Sequence, residues 1–279
     1  MLRNRKRNWS ALLILTAIWA VAYSPTLAAE QLISETTAAF DHYVELSELR
    51  MSQELNSGPF LRVDGLPQSQ RDTDDQQLKR GEVITDRLQT LDHGAAISVP
   101  HGLIHHWIGT IFIPGAALAQ TLAFLEEYDN QYKFYAPDVQ RSKLVHRNGN
   151  QFKVFLRLQK KKLITVILNT NYDVKYTLLG PERATSDSHS TRIAEVENPG
   201  EPNESEKPVG NDSGFLWRLN SYWRFLQRDG GTYVQLEAIS LTRDIPIGLS
   251  WFVSPFVTSI PKESLVFTLT RTREALTTN

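Results

Sequence analysis

The sequence predicts an α+β fold in which an antiparallel sheet of about seven strands lies against a long C-terminal helix, with one extra helix at the N-terminal end. Three stretches predict it. The first is the run GFLWRLNSYWRFLQRDGGTYVQLEAISLTR from Gly214, whose Asp229-Gly230 dipeptide tolerates positive φ and so favours a two-residue hairpin turn. The second is PKESLVFTLTRTREAL from Pro261, where Pro at the first turn, Glu263 at the positive dipole end and Leu265, Leu269, Thr272 and Leu276 at helical spacing read as an amphipathic helix. The third is a meander between Lys143 and Glu197, broken at Asn148-Gly149, at Lys160-Lys161-Lys162 and at Gly180-Pro181.

At the start of the chain, Arg3, Arg5, Lys6 and Arg7 precede an apolar stretch from Ala11 to Ala22, and small residues follow up to Ala29. That order is a secretory signal, so residues 1–29 are expected to be removed and the protein to be secreted or periplasmic in a bacterial envelope. An uncleaved anchor is the other reading, but twelve apolar residues fall short of the ~20 a spanning helix needs. Cleavage after Ala29 would take four basic and no acidic side chains from 30 Lys+Arg and 31 Asp+Glu, leaving a net charge of −5. An acidic chain is a poor partner for nucleic acid. The chain has no cysteine, which rules out a disulfide framework, thiol nucleophiles and thiolate metal sites.

Residues 30–81 read as a helix and a polar linker. Ser34 to Leu55 carries Phe40, Val44 and Leu55 at helical positions and stops at Gly58-Pro59, whereas Gly65 to Gly81 is so poor in apolar residues that it reads as a loop. Asp72, Asp74 and Asp75 lack the glycine and distant glutamate of a calcium loop, so they read as a solvated charge run.

From Glu82 the pattern turns to strand. In ISVPHGLIHHWIGTIFIPG, His101 and His105 share one face and His106 takes the other, so metal ligation by all three would need a bulge and no metal site is assigned. A short helix follows from Ala116 to Tyr128. Further on, Ile164, Val166, Leu168, Tyr172, Val174 and Tyr176 alternate with polar residues, which marks one covered and one wet face. The lysine triplet at the preceding tip is a candidate for transient membrane contact, or simply a charged edge guard. Asn198 to Ser213 reads as a long, mobile acidic loop.

Pairing outward from Arg228 opposite Gly231 sets Phe225 against Val234, Trp223 against Leu236, Ser221 against Ala238 and Trp217 against Thr242 on an apolar face. Tyr222, Arg224 and Glu237 fall on the other. That second face is expected to be wet, an outward ladder of cross-strand pairs; were it turned towards the terminal helix, the three residues could form an acid/base cluster.

The element order, together with the stretches PDVQRSKLV, STRIAEV, GFLWRLNSYWRF and SIPKESLVFTLTRTREAL, resembles the START-like (SRPBCC, helix-grip) superfamily over about Ile97 to Ala275. The resemblance implies a helix-grip domain over 82–279, its curved sheet wrapped around the last helix, and a cavity for a hydrophobic small molecule or lipid. It implies no cofactor. Tyr172, Tyr176, Trp217, Trp223, Phe225, Leu236, Leu265 and Leu269 are the expected ligand-binding set, though such an aromatic stripe could equally fill a core. Two functions follow. One is a non-catalytic carrier; the other is a cyclase- or hydrolase-type enzyme using Tyr222, Arg224 and Glu237. The Pro246 to Pro261 crossing is a third, weaker candidate, as an interaction patch.

Overall fold

A computed structural model describes residues 30–162, 164–244 and 259–278. The expected leader, and the crossing up to residue 258, lie outside them. The order is β1 (Glu30–Gln31), α1 (Ser34–Ser57), a 3-10 turn (Arg62–Gly65), α2 (Gln68–Arg80), β2 (Ile84–Arg87), β3 (Leu91–Asp92), β4 (Ala95–Ala96), β5 (Gly102–Pro114), α3 (Leu118–Glu126) and α4 (Gln131–Phe134). Then come β6 (Val139–Asn148), β7 (Gln151–Lys161), β8 (Thr165–Leu178), β9 (Arg183–Glu197), β10 (Ser205–Glu206), β11 (Asn211–Asp212), β12 (Arg218–Arg228), β13 (Gly231–Arg243) and the terminal helix α5 (Ile260–Thr277).

The main sheet is antiparallel, in the order β2-β5-β13-β12-β9-β8-β7-β6, with β10 added beside β9. The hairpin turn is the expected one: Asp229 and Gly230 have φ of 55° and 75°, and Arg228 faces Gly231. Six strands from β7 to β5 would form a flat ribbon about 24 Å wide at ~4.8 Å per spacing. Residues from both of those outer strands nevertheless border one cavity beside α5, so the sheet is bent around the helix. This is the helix-grip arrangement. The helix comes closest at Gly109, where an added Cβ would stand 2.4 Å from a Leu265 methyl carbon. Any larger residue there would push α5 off the sheet.

Three expectations are corrected. The linker is a helix, because α2 is built from good helix formers, carries its only buried apolar side chain at Leu78, and is closed by Gly81 at φ 88°. The polar face of the hairpin is dry rather than wet: α1, the 3-10 turn and α2 cover it, with Arg228 paired to Asp64 at 2.7 Å and Tyr233 donating to Asp75 at 3.0 Å. The acidic loop is tied down, since Arg157 holds both oxygens of Glu204 at 2.8 Å and Lys207 pairs with Glu195. At the lysine tip, Lys160 closes on Asp138 and Lys162 lies 2.7 Å from Glu263, so two of the three charges are already partnered.

Candidate functional site

Side chains on the concave face come from alternate positions of each strand, and the register places them in rows. One row runs Phe152, Val174, Ser188, Ser221, Ala238, Trp107; the next runs Tyr176, Ser186, Trp223, Leu236, Gly109. The middle of the sheet is therefore floored by Ser188, Ser221 and Ala238 in the first row, and by Ser186 beside the Trp223 ring in the second. Small residues there leave space that the rings and α5 roof over. The result is a cavity of about 300 Å³, at the small end of the range for ligand pockets.

Of the expected ligand-binding residues, Tyr172, Tyr176, Trp223, Leu236 and Leu265 border this cavity. Phe225 and Leu269 stand behind them in the adjoining core, both fully buried. Phe225 is stacked on Trp223 with centroids 6.0 Å apart. Trp217 is a correction. It lies on the opposite face with Phe40, Tyr43, Met51 and Leu241, and its indole N–H donates to Asp212 at 3.0 Å. Strand alternation does not reach it, because β12 begins one residue later, after a bend at Gly214 with φ 71°.

The Tyr222, Arg224 and Glu237 cluster is also corrected. All three point away from the cavity into the seam beneath α1, where each is already engaged. Tyr222 donates to Glu48 at 2.7 Å, Arg224 holds Glu54 at 2.7 Å and the Phe60 carbonyl at 3.0 Å, and Glu237 accepts from Arg50 and from His106 Nε2 at 2.6 Å. Tyr43, which accepts from the Thr90 N–H, sits 3.0 Å from the other nitrogen of His106. Burial alone would push the Glu237 carboxyl up, but the His106 hydrogen bond and the Arg50 charge outweigh it and hold it below its usual value. These residues clamp a helix. They face no cavity.

The cavity is almost free of charge. Among the described residues, Asp138 and Lys160 are the only ionic ones in its lining, and they pair with each other. Its other polar side chains are hydroxyls and the Gln131 amide, which donates to the Leu125 carbonyl. Burial raises the phenols of Tyr135 and Tyr172 to about 12, that of Tyr135 against its hydrogen bond with Thr272, and raises Tyr128 and Tyr176 as well, so all four stay protonated donors near neutral pH. His105, beside the cavity-lining Thr242, lies 3.0 Å from its hydroxyl and is lowered to about 4, by burial first and by the charge of Arg87 second. It is neutral at pH 7. Among the described residues there is no cluster of three or more His, Asp or Glu side chains fit to hold a metal.

Sequence reasoning missed Tyr128, Trp107 and the serine floor. The signal for the serines was present. In β9 the sequence ATSDSHS puts Ser186, Ser188 and Ser190 on one face with no apolar residue between them, an inward face that cannot fill its own space.

No family model and no curated protein sequence matches the chain. Solved structures do. A STAR-related lipid transfer protein fragment from Xanthomonas axonopodis is 14% identical, with 69% of this chain and 98% of that one covered, at a TM-score of 0.45. The Zhui aromatase/cyclase from Streptomyces sp. R1128 is 12% identical over 62% of this chain and 94% of that one, at 0.42. The human StarD13 lipid transfer and protein localization domain is 8% identical over 76% and 98%, also at 0.42.

Proposed function

We propose that the protein is an exported, non-catalytic binder of one hydrophobic small molecule, held in the cavity between the concave sheet face and α5. The observation that carries this reading is the cavity itself: about 300 Å³ of space walled by Tyr172, Trp223, Leu236 and Leu265. Covering its apolar walls with an oily guest stabilises the complex, at roughly 25 cal/mol per Å² of apolar surface removed from water. Non-catalysis is supported by the engagement of Tyr222, Arg224 and Glu237 elsewhere, and export by the leader pattern in residues 1–29.

The test is a fluorescence titration with N-phenyl-1-naphthylamine, an uncharged apolar probe that brightens in dry surroundings. The expected result is saturable binding at one site, abolished by Ala238→Trp in a variant that still melts cooperatively. Ala238 lies mid-floor, so an indole there occupies the space the probe needs. No saturable binding, or equal binding by the folded variant, contradicts the reading.

A further inference from the structure

Two hydroxyl clusters border the cavity, and they differ in how their protons are disposed. Tyr135 lies 2.9 Å from Thr272 Oγ1, and Thr272 in turn donates to the Thr268 carbonyl at 2.8 Å. That chain ends on an acceptor, so every proton in it is placed. Tyr128 and Tyr176 also meet, oxygen to oxygen at 3.1 Å, with no further hydrogen bond from either phenol among the described residues. Two hydroxyls sharing one hydrogen bond always leave one proton over. On the neighbouring strand opposite Tyr176 stands Ser186, 1% exposed, whose Oγ has no hydrogen-bond partner among the described residues. Buried hydroxyls are nearly always matched, so two unmatched donors side by side call for an explanation.

Their surroundings narrow what could match them. Tyr128, Tyr176 and Phe152 pack ring against ring at 5.4 and 5.6 Å, which walls the donors off with hydrocarbon. The two cavity charges, Asp138 and Lys160, neutralise each other, so an ionised head brought to the donors would meet no free counter-charge. A buried charge without a partner is far more expensive than a neutral dipole.

We propose that Tyr128, Tyr176 and Ser186 form a docking point for a neutral oxygen acceptor, of the ketone, aldehyde, ester or quinone class, carried on the otherwise apolar ligand. This rests on the cavity being the binding site and adds the chemistry of the ligand's polar end. The spare phenolic proton and the Ser186 hydroxyl donate to the same oxygen, each satisfying a hydroxyl that no protein group among the described residues matches.

Displacement of bound N-phenyl-1-naphthylamine tests it with 2-nonanone and two comparison probes: 2-methyl-1-nonene, of the same shape with CH2 in place of the carbonyl oxygen, and nonanoate, an anion whose alkyl chain is one carbon longer. Because the ketone and the alkene differ in water as well, the quantity read is their affinity ratio in wild type against variants. In Tyr128→Phe/Tyr176→Phe the ketone should lose about tenfold relative to the alkene, and in Ser186→Ala about threefold, as expected for one or two net hydrogen bonds. Nonanoate at pH 8 should bind at least tenfold more weakly than the ketone. An unchanged ratio in both variants, or nonanoate matching the ketone, overturns the docking point while probe binding keeps the cavity reading standing. If neither the naphthylamine nor any chain binds, both fall together.

Discussion

The two faces of one sheet are closed in opposite ways. On the outer face α1 is riveted down by ions: Glu237, 2% exposed, sits between Arg50 and His106, Arg224 reaches Glu54 and two carbonyls, and Glu48 takes both Tyr222 and His189. On the inner face the same strands present serine, alanine and rings, and the roof leaves a gap. A polar seam needs every group matched, so it packs tight and specifies one position for its cover. An apolar wall makes no such demand and tolerates a vacancy or a guest. The outer face is thus the rigid half of the molecule, and the inner face the half with room for a ligand.

The strongest way to break this contrast is to remove one ion from the seam. Glu237→Gln keeps the shape but removes the buried carboxylate shared by His106 and Arg50, leaving Arg50 only Glu54, and should cost about 3 kcal/mol by urea unfolding, the low end for a broken buried pair because Arg50 is partly exposed and keeps a partner. A loss under 1 kcal/mol would mean the seam is not what holds α1.

Next comes pH, to which the two faces answer in opposite senses. His105 on the inner side has its folded value lowered to about 4 from 6.5, so the unfolded chain binds the extra proton between those values and stability falls as pH drops through that window. The full shift corresponds to about 3 kcal/mol, and about 2 is expected after allowance for solvent reaching a group that is not wholly buried. His189 and Glu48 behave otherwise. The Glu48 hydrogen bond raises His189, so its contribution is complete below 6.5 and fades as pH rises through its folded value. The same bond lowers Glu48, whose contribution is complete above 4.5 and is lost as pH falls through its own folded value. Their clasp is therefore strongest between about 4.5 and 6.5. Comparing His105→Gln with wild type from pH 7 to 4 should remove the acid-side loss that His105 causes. A variant curve parallel to wild type would contradict the assignment.

The smallest effect is expected on the inner face. Ser221→Val puts methyl groups into the gap and should change stability by less than about 1 kcal/mol in either direction while weakening probe binding severalfold. A loss comparable to that of Glu237→Gln would erase the distinction between the faces.

What could be read from the residues follows the same division. Hairpin register and terminal helix were legible because both are local: Asp229-Gly230 sets the turn, and Leu265 to Leu276 keep a helical stripe. Tyr172, Tyr176 and Trp223 were placed on the right face by alternation alone. Trp217 was not, since alternation means nothing before a strand starts. The seam was illegible for a different reason. Arg224 and Glu237 look like solvent-facing residues until α1 supplies Glu54 and Arg50 from some 180 positions away, and the α1 face that does so mixes Thr36, Phe40, Tyr43, Ser47 and Met51 rather than forming an oily stripe. A helix as polar as α2 gave no apolar period to see, though Lys79, Arg80 and Gly81 were a stop signal. The cavity is a volume left over by seven strands and the helices α3, α4 and α5, and no single stretch encodes it.

The central claim is that the inner face encloses a guest. A crystal structure of the protein with 9-bromo-2-nonanone bound tests it most directly, read by the anomalous signal of bromine. The account predicts one strong peak inside the space bordered by Trp223, Leu236 and Leu265, with the carbonyl end at Tyr128, Tyr176 and Ser186. Bromine found only on the outer surface, with side chains closed over an empty or collapsed interior, would contradict it.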